Sequence, residues 1–345
     1  MSEDCLNLNM YIPISALNQS TEPLAVLLHM HGGAFFTGSN DDAQLQGEYL
    51  AWEQNVIVIQ MNYRLAAFGF WYLEESDENG YQTNWGILDQ TLAMNWVQMN
   101  IEGFGGDPNR VTISGCSAGG QSILIHATSQ LSWPYFQQMS SFSAPLGIPF
   151  FTTTEAAQIY KNAANSLGCL KPDNKTDITC LRGKDTDEIY EATMSFTALQ
   201  NNIFPVVLDS GKLQALGEPY APVVGDKIIP KHPYDLIRDG KLKPATKLTI
   251  EYAHHEGEQF LETVFYPLEE PVLENRHSRI PLKIWEALIY KVYGSADGQR
   301  IIDLYACREK CIGSARCDCG ELAEQWLTSW SWSCHIRSGT IKMFF

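Results

Sequence analysis

The feature that most limits what this chain can fold into is a short turn of small residues between a predicted strand and a predicted helix. Residues 111–114 form an apolar, β-branched run, and residues 117–128 place apolar side chains at helical spacing. The connection Gly115-Cys116-Ser117-Ala118-Gly119 is so short that its central residue must adopt a strained conformation. Side chains at Gly115 and Gly119 would collide with this turn. We therefore predict an elbow that raises the Ser117 hydroxyl at a helix N-terminus, where the helix dipole stabilises a developing anion.

A second Gly-rich motif follows another predicted strand. His31-Gly32-Gly33-Ala34-Phe35 comes directly after an apolar run. Small residues allow the backbone to approach a bound molecule, and N–H groups placed there stabilise negative charge on a carbonyl oxygen. We predict that the N–H groups of Gly33, Ala34 and Ala118 form an oxyanion hole beside the elbow. Each motif alone is also compatible with a plain glycine turn, and their order along the chain favours the catalytic interpretation.

Predicted strands and helices alternate along the chain. The first strands cover residues 6–12, 24–30, 56–61, 111–114 and 136–143, and the first helices cover 87–101, with Asn84 as a cap, and 117–128. This order is typical of an α/β fold with a mostly parallel sheet flanked by helices. We interpret all 345 residues as one domain, with an N-terminal sheet over 1–150, a helical cap over 151–245 and a C-terminal part over 246–345. The later predicted elements are helices at 154–167, 185–198, 281–292 and 320–332 and strands at 247–252 and 340–345.

Four further stretches resemble the type-B carboxylesterases, the family that includes the cholinesterases and the neuroligins. They are Ser2-Glu3-Asp4-Cys5-Leu6-Asn7-Leu8-Asn9, Asn62-Tyr63-Arg64-Leu65, Gly86-Ile87-Leu88-Asp89-Gln90 and Phe104-Gly105-Gly106-Asp107-Pro108-Asn109-Arg110-Val111-Thr112. The resemblance implies an α/β-hydrolase fold and hydrolysis of a small-molecule carboxylic ester through an acyl-enzyme on Ser117, without a cofactor. It also implies an ion pair between Glu3 and Arg64. The elbow departs from the family by carrying Cys116 where a Glu is usual.

For the other two members of a catalytic triad, the resemblance identifies a candidate acid but no histidine. Glu256 follows a predicted strand within His255-Glu256-Gly257, which implies that its carboxylate orients a histidine base. A surface carboxylate is the alternative. In the family the histidine lies well beyond the strand at which this sequence stops, and none of the eight histidines matches it. Two hypotheses stay open: a serine carboxylesterase that needs a histidine outside this sequence, and an inactive cholinesterase-like module for binding or adhesion. The intact Ser117 favours the esterase.

The cysteines indicate an oxidising compartment. Cys169 and Cys180 resemble the short disulfide in the family's cap region, whose closure is worth about 3 kcal/mol. Two N-glycosylation motifs begin at Asn18 and Asn174. The resemblance therefore implies a secreted or extracellular glycoprotein, although no secretory signal peptide opens the sequence.

Composition argues against several other classes of protein. A net charge of −16 disfavours a nucleic-acid partner. The chain has no apolar run of about 18 residues, so no membrane span is expected. The C-terminal cysteines do not have the spacing of a zinc site, so no metal is expected; they are Cys307, Cys311, Cys317 and Cys319. The sequence gives no indication of the oligomeric state.

Overall fold

The computed structural model describes residues 3–17, 22–41, 47–77, 79–203, 205–206, 209 and 218–253, with scattered positions between 286 and 303. The chain divides into two compact units, of which the larger comprises Met1–Ala144, Pro149–Ser210 and Glu218–Glu251. The sheet and both Gly-rich motifs lie in this larger unit. Among the described residues, no helix has the length and apolar character that crossing a membrane requires.

A mostly parallel sheet forms the centre of the larger unit. In the part of the chain that is described it has six strands, in the spatial order β1 (Leu8–Tyr11), β3 (Ile57–Met61), β2 (Leu24–Met30), β4 (Gly106–Cys116), β5 (Gln138–Phe142) and β8 (Lys247–Glu251). β1 is antiparallel to β3, and the other neighbouring pairs are parallel. A separate parallel pair consists of β6 (Phe151–Thr152) and β7 (Val223–Val224). Because β2 and β4 are parallel neighbours, the two Gly-rich motifs that follow them lie at the same edge of the sheet.

Helices connect the strands and flank the sheet. They are α1 (Ile14–Leu17), α2 (Glu48–Gln54), α3 (Ala66–Phe70), α4 (Trp85–Asn100), α5 (Ala118–Thr128), α6 (Thr153–Ser166), α7 (Ile178–Arg182), α8 (Thr186–Thr193), α9 (Phe196–Ala198) and α10 (Pro233–Arg238). Short 3₁₀ turns cover Ile101–Phe104 and Trp133–Tyr135, and a π-helical turn covers Leu199–Ile203. The start of α6 is set locally by a capping box, in which Thr152 Oγ accepts a hydrogen bond from Glu155 N–H and the Glu155 carboxylate accepts one from Thr152 N–H.

The hydrophobic core packs α4 and α5 against the sheet. β3 is buried along its whole length, and β2 alternates between buried and half-buried residues. Met94 and Val97 of α4 and Ile123 of α5 are fully buried in one cluster with strand residues such as Ile113. Apolar, β-branched strands under helices account for this burial, as expected for parallel sheets.

The prediction of a mostly parallel sheet flanked by helices is confirmed. The predicted strands that fall on described residues are present, and all but one keep their predicted ends to within one or two residues. Helix 87–101 begins two residues earlier, at Trp85, and helix 154–167 becomes α6. Hydrophobic periodicity located these elements correctly because each presents a continuous apolar face to the core.

Two local predictions are wrong. β4 begins at Gly106, five residues before the predicted start at 111, because its first part pairs with Leu24 across a register shift in β2. The helix predicted over 185–198 stops at Thr193 and resumes as α9. Ser195 lies between the two pieces, and its Oγ accepts a hydrogen bond from Ala198 N–H at 3.2 Å. Both differences depend on interactions that hydrophobic periodicity does not encode.

Asn84 precedes α4 as predicted but does not cap it with its side chain. Its backbone is left-handed, with φ 62°. The buried side-chain amide donates to the carbonyl oxygen of Val223 at 2.8 Å and accepts from Val223 N–H at 2.9 Å. This residue therefore ties the start of α4 to β7.

Several predictions for the C-terminal part fall outside the described residues. The elements predicted at 320–332 and 340–345 lie wholly outside them, and only three positions of the helix predicted at 281–292 are described, all of them helical. The single-domain interpretation stays a prediction.

Candidate active site

Ser117 occupies a strained turn between β4 and α5. Its backbone angles are φ 56° and ψ −121°, a combination that L-residues rarely adopt. Hydrogen bonds hold the turn on both sides, because Ser117 N–H donates to the carbonyl oxygen of Phe142 at 2.9 Å and the Ser117 carbonyl accepts from Gln121 N–H at 2.9 Å. The neighbouring strand and the helix itself therefore keep the half-buried serine at the N-terminus of α5.

Two glycines make room for this turn. A Cβ atom on Gly115 would lie 2.4 Å from the carbonyl carbon and oxygen of Gly119. A Cβ atom on Gly119 would lie 2.1 Å from the carbonyl oxygen of Met30, at the end of β2. Both distances are far below ordinary van der Waals contact, and the atoms that would have to move belong to the backbone. The elbow thus brings β2, β4 and α5 into direct backbone contact.

Residues 31–38, hereafter the oxyanion loop, leave β2 with a left-handed backbone. Gly33 has φ 110° and Ala34 has φ 56°. A Cβ atom on Gly33 would lie 2.1 Å from the carbonyl oxygen of Thr37, so this position requires glycine. The loop closes on itself through 2.9 Å hydrogen bonds from the N–H groups of Phe36 and Thr37 to the carbonyl oxygen of Gly33.

The oxyanion loop lies directly against the elbow. A Cβ atom on Gly32 would lie 3.1 Å from the Cβ atom of Ser117. Within the described residues, the N–H groups of Gly33, Ala34 and Ala118 donate no hydrogen bond to a protein acceptor. Unused backbone donors beside a raised hydroxyl are the arrangement that stabilises an oxyanion formed by attack of that hydroxyl.

A buried tyrosine supports the start of the oxyanion loop. The ring of His31 stacks on Tyr63 with 4.4 Å between ring centroids, and Tyr63 OH donates to the carbonyl oxygen of His31 at 2.9 Å. His31 Nδ1 donates to the carbonyl oxygen of Gly32 at 2.8 Å. Burial raises the pKa of Tyr63 well above its ordinary value, with a smaller contribution from the charge of Glu218. The hydroxyl therefore stays protonated and remains a donor to the loop.

Of the described histidines, none forms a hydrogen bond with Ser117. His126 is fully buried between Ser132 Oγ and Gln90 Oε1, each 2.8 Å from a ring nitrogen, and burial lowers its pKa to about 3. His29 lies 2.9 Å from Ser114 Oγ, and burial lowers its pKa to about 4. Both are neutral structural residues at pH 7. The remaining two described histidines, His31 and His232, contact the oxyanion loop and the N-terminus of α10.

One predicted site residue falls outside the described part of the chain. Glu256 is the one affected, and four histidines that were not assigned to the site, His254, His255, His277 and His335, also lie outside the described residues. The strand predicted before Glu256 is present as β8, which ends at Glu251. The predicted disulfide between Cys169 and Cys180 is confirmed.

The prediction that Arg64 pairs with Glu3 is wrong. Two Arg64 nitrogens, Nε and Nη2, each lie 2.8 Å from an oxygen of Asp89, and Arg64 N–H donates to the same carboxylate at 3.0 Å. Asp89 is 5% exposed and needs a cation, whereas Glu3 is exposed to water. Asp89 belongs to the stretch 86–90 that carried the family resemblance, so the sequence marked the residue without showing that it pairs with Arg64.

A buried acid that contacts the elbow helix was not predicted from the sequence. Glu218 is 2% exposed, and its Oε2 accepts a hydrogen bond of 3.0 Å from Gln121 Nε2. Burial raises the pKa of Glu218 to about 8, so the carboxyl is largely protonated at neutral pH. A Glu in a stretch of mixed polarity carries no sequence signal for burial, because acids are mostly exposed.

Comparison with known proteins identifies the family. The sequence model of the carboxylesterase family matches residues 1–309. Acetylcholinesterase 1 of Caenorhabditis briggsae is 35% identical over 250 residues, covering 70% of this chain and 37% of that protein. Cholinesterase 1 of Branchiostoma lanceolatum is 35% identical over 247 residues, covering 70% and 64%. A solved PNB esterase superposes with a TM-score of 0.70 at 26% identity, covering 96% of this chain and 61% of the esterase.

The chain spans less than two thirds of the length of each of these proteins. The superposition confirms the predicted α/β-hydrolase fold, because the matched structure is an esterase with a similar arrangement over nearly the whole chain. On its sequence match and its fold, the chain belongs to the carboxylesterase family.

Proposed function

We propose that the protein carrying this chain hydrolyses small-molecule carboxylic esters through an acyl-enzyme on Ser117. The observation that carries the proposal is the position of the strained Ser117 against the oxyanion loop, in which the N–H groups of Gly33 and Ala34 have no acceptor among the described residues. A strained residue costs free energy to hold, and such strain concentrates at functional sites. A plain glycine turn would not require this strain at a serine.

The proposed reaction has two steps. Ser117 Oγ attacks the ester carbonyl carbon, its proton passes to a histidine base, and the carbonyl oxygen becomes an anion held by the N–H groups of Gly33, Ala34 and Ala118. The alcohol leaves with the proton, and water then hydrolyses the acyl-enzyme in the same manner. Each oxyanion donor is worth about 3 kcal/mol in the transition state. We assign the base to a histidine other than the four described ones.

Glu256 is proposed as the acid that orients the histidine. It follows the last residue of β8 by five positions, and β8 is a parallel strand of the sheet that carries the elbow. Acids that follow such strands meet the nucleophile at the carboxyl edge of an α/β sheet. The order Ser117 before Glu256 also fits the order of the triad in this fold.

We also propose that the protein is secreted or extracellular. The disulfide between Cys169 and Cys180 supports an oxidising compartment, because cytosolic thiols are kept reduced. Asn174, the start of a glycosylation motif, is exposed within the loop that this disulfide closes.

A fluorophosphonate probe tests the proposed activity, because it reacts covalently with activated serines. In the full-length natural product that carries this sequence, we expect one labelled site, lost in Ser117→Ala. Ser166→Ala is the matched control, because Ser166 is an exposed serine on α6, and we expect it to label as the wild type does. A folded wild-type protein that takes up no probe would contradict the esterase and favour the binding module.

A further inference from the structure

One short segment contacts both halves of the candidate site. Residues 218–224 lie between the cap helices and β8 in sequence. At one end, Glu218 accepts the hydrogen bond from Gln121 of α5. Next to it, the ring of Tyr220 stacks on Phe36 of the oxyanion loop, with 5.8 Å between centroids and 11° between ring planes. The segment therefore touches the elbow helix and the oxyanion loop at once.

Gln121 transmits this contact to the nucleophile. Its backbone N–H donates to the carbonyl oxygen of Ser117, and its side chain donates to Glu218, so one residue joins the first turn of α5 to the segment. Gln121 is 1% exposed and Glu218 is 2% exposed. A hydrogen bond between two buried side chains is costly to break, because each group would lose its partner without gaining water. The pair therefore fixes the turn that carries Ser117 and Ala118.

Glu218 also affects Tyr63, the residue that supports the oxyanion loop. After burial, a charge on Glu218 is the second cause that raises the pKa of Tyr63, whose hydroxyl donates to the carbonyl oxygen of His31. Gln121, the group that faces the carboxyl from α5, carries no charge. A negative charge on Glu218 would lie on the direct hydrogen-bond partner of Gln121, whose backbone N–H holds the Ser117 turn, and like charges repel strongly in a buried site where an oxyanion forms.

We infer that Glu218 is a positioning residue, which holds the elbow helix and the oxyanion loop together as the uncharged hydrogen-bond partner of Gln121. Its catalytic consequence rests on the proposed esterase function, whereas its positioning role does not. The raised pKa of about 8 supports the uncharged state at neutral pH.

Two substitutions separate the hydrogen bond from the charge. Glu218→Gln keeps an acceptor for Gln121 but cannot ionise, and Glu218→Leu removes the acceptor. Native-state hydrogen exchange measures how often backbone hydrogen bonds of the elbow helix open, and it does not require catalytic activity. We expect faster exchange of the Gln121 backbone amide in Glu218→Leu, and wild-type exchange in Glu218→Gln and in the exposed control Glu191→Gln. Unchanged exchange in a folded Glu218→Leu protein would overturn the positioning role.

The pH dependence of probe labelling at Ser117 tests the uncharged state. We expect wild-type labelling to decline as the pH rises through about 8, and Glu218→Gln to lack that decline. Glu218→Leu should label about ten-fold more slowly at every pH, the effect of one unsatisfied buried hydrogen bond. Identical pH profiles for wild type and Glu218→Gln would overturn the uncharged state.

A wild-type protein that is not labelled at all would contradict the proposed esterase function and would leave the role of Glu218 to a different measurement. In that case, thermal unfolding decides the charge state. The unfolded carboxyl titrates near 4.5 and the folded one near 8, so wild-type stability should fall across this interval more steeply than that of Glu218→Gln. Parallel curves would overturn the inference.

Discussion

Gly119→Ala is the substitution that tests the contact between the elbow and β2 most directly. The new Cβ atom would lie 2.1 Å from the carbonyl oxygen of Met30, where ordinary contacts begin at 3.4 Å, so the backbones must separate by about 1 Å. Alanine would normally favour a helix over glycine by about 1 kcal/mol. We expect the overlap to reverse this and destabilise the protein by about 3 kcal/mol. Because Met30 leads into the oxyanion loop, probe labelling at Ser117 should also slow by about 100-fold.

Urea unfolding, followed by circular dichroism, measures the stability change, and Gly103→Ala is the matched control. A Cβ atom on Gly103 would meet nothing within 4 Å, so its free energy of unfolding should change by no more than about 0.5 kcal/mol. The reasoning would be refuted if Gly119→Ala were as stable as Gly103→Ala and reacted with the probe at the wild-type rate. A stable but slowly labelled protein would separate the effect on positioning from the effect on folding.

Two further predictions concern buried polar groups. Asp89→Ala leaves Arg64 without its carboxylate and should lower the free energy of unfolding by about 2 to 3 kcal/mol, the range for a pair with one partner over a third exposed. Asp89→Asn keeps an acceptor and should cost about half as much in the same urea titration; equal stability of all three proteins would contradict the pairing. His126 binds a proton near pH 6.5 when unfolded but only near 3 when folded, so stability should be full above pH 6.5 and fall on acidification. We expect a loss of about 2 kcal/mol between about pH 7 and about pH 5, absent in His126→Gln, and a slope that survives this substitution would assign it to other groups.

The order of strands and helices was predictable because each element presents its own apolar face. The elbow was predictable because its requirement is local: a strand, a short turn and a helix leave room only for glycine two positions before and two positions after Ser117. The extension of β4 to Gly106 was not, since poor strand formers are held there by pairing with β2. Burial of Glu218 also escaped prediction, because it depends on Gln121, 97 residues away in sequence.

The partner of Arg64 shows a different limit of prediction from sequence, which concerns the pairing of residues. Sequence motifs identify residues that act in a site but do not say which of them touch. Glu3 and Asp89 both lie in family-like stretches, and only the fold reveals that Asp89, on the first turns of α4, faces the guanidinium. Such choices follow from burial, which decides which carboxylate most needs a cation.

The two hydrogen bonds between the Asn84 side chain and the Val223 backbone have a consequence for how the length of the chain can vary. Phe151 and Val223 are paired in β6 and β7, so helices α6 to α9 leave the sheet body and return at adjacent strands. The entropic cost of closing a loop rises only slowly with the length of the loop. The segment between β6 and β7 can therefore lengthen, shorten or be exchanged while its two ends stay paired. Grafts that retain both strands, Glu218, Tyr220 and the Asn84 amide should preserve the geometry at Ser117, so that helices α6 to α9 can be replaced as a unit.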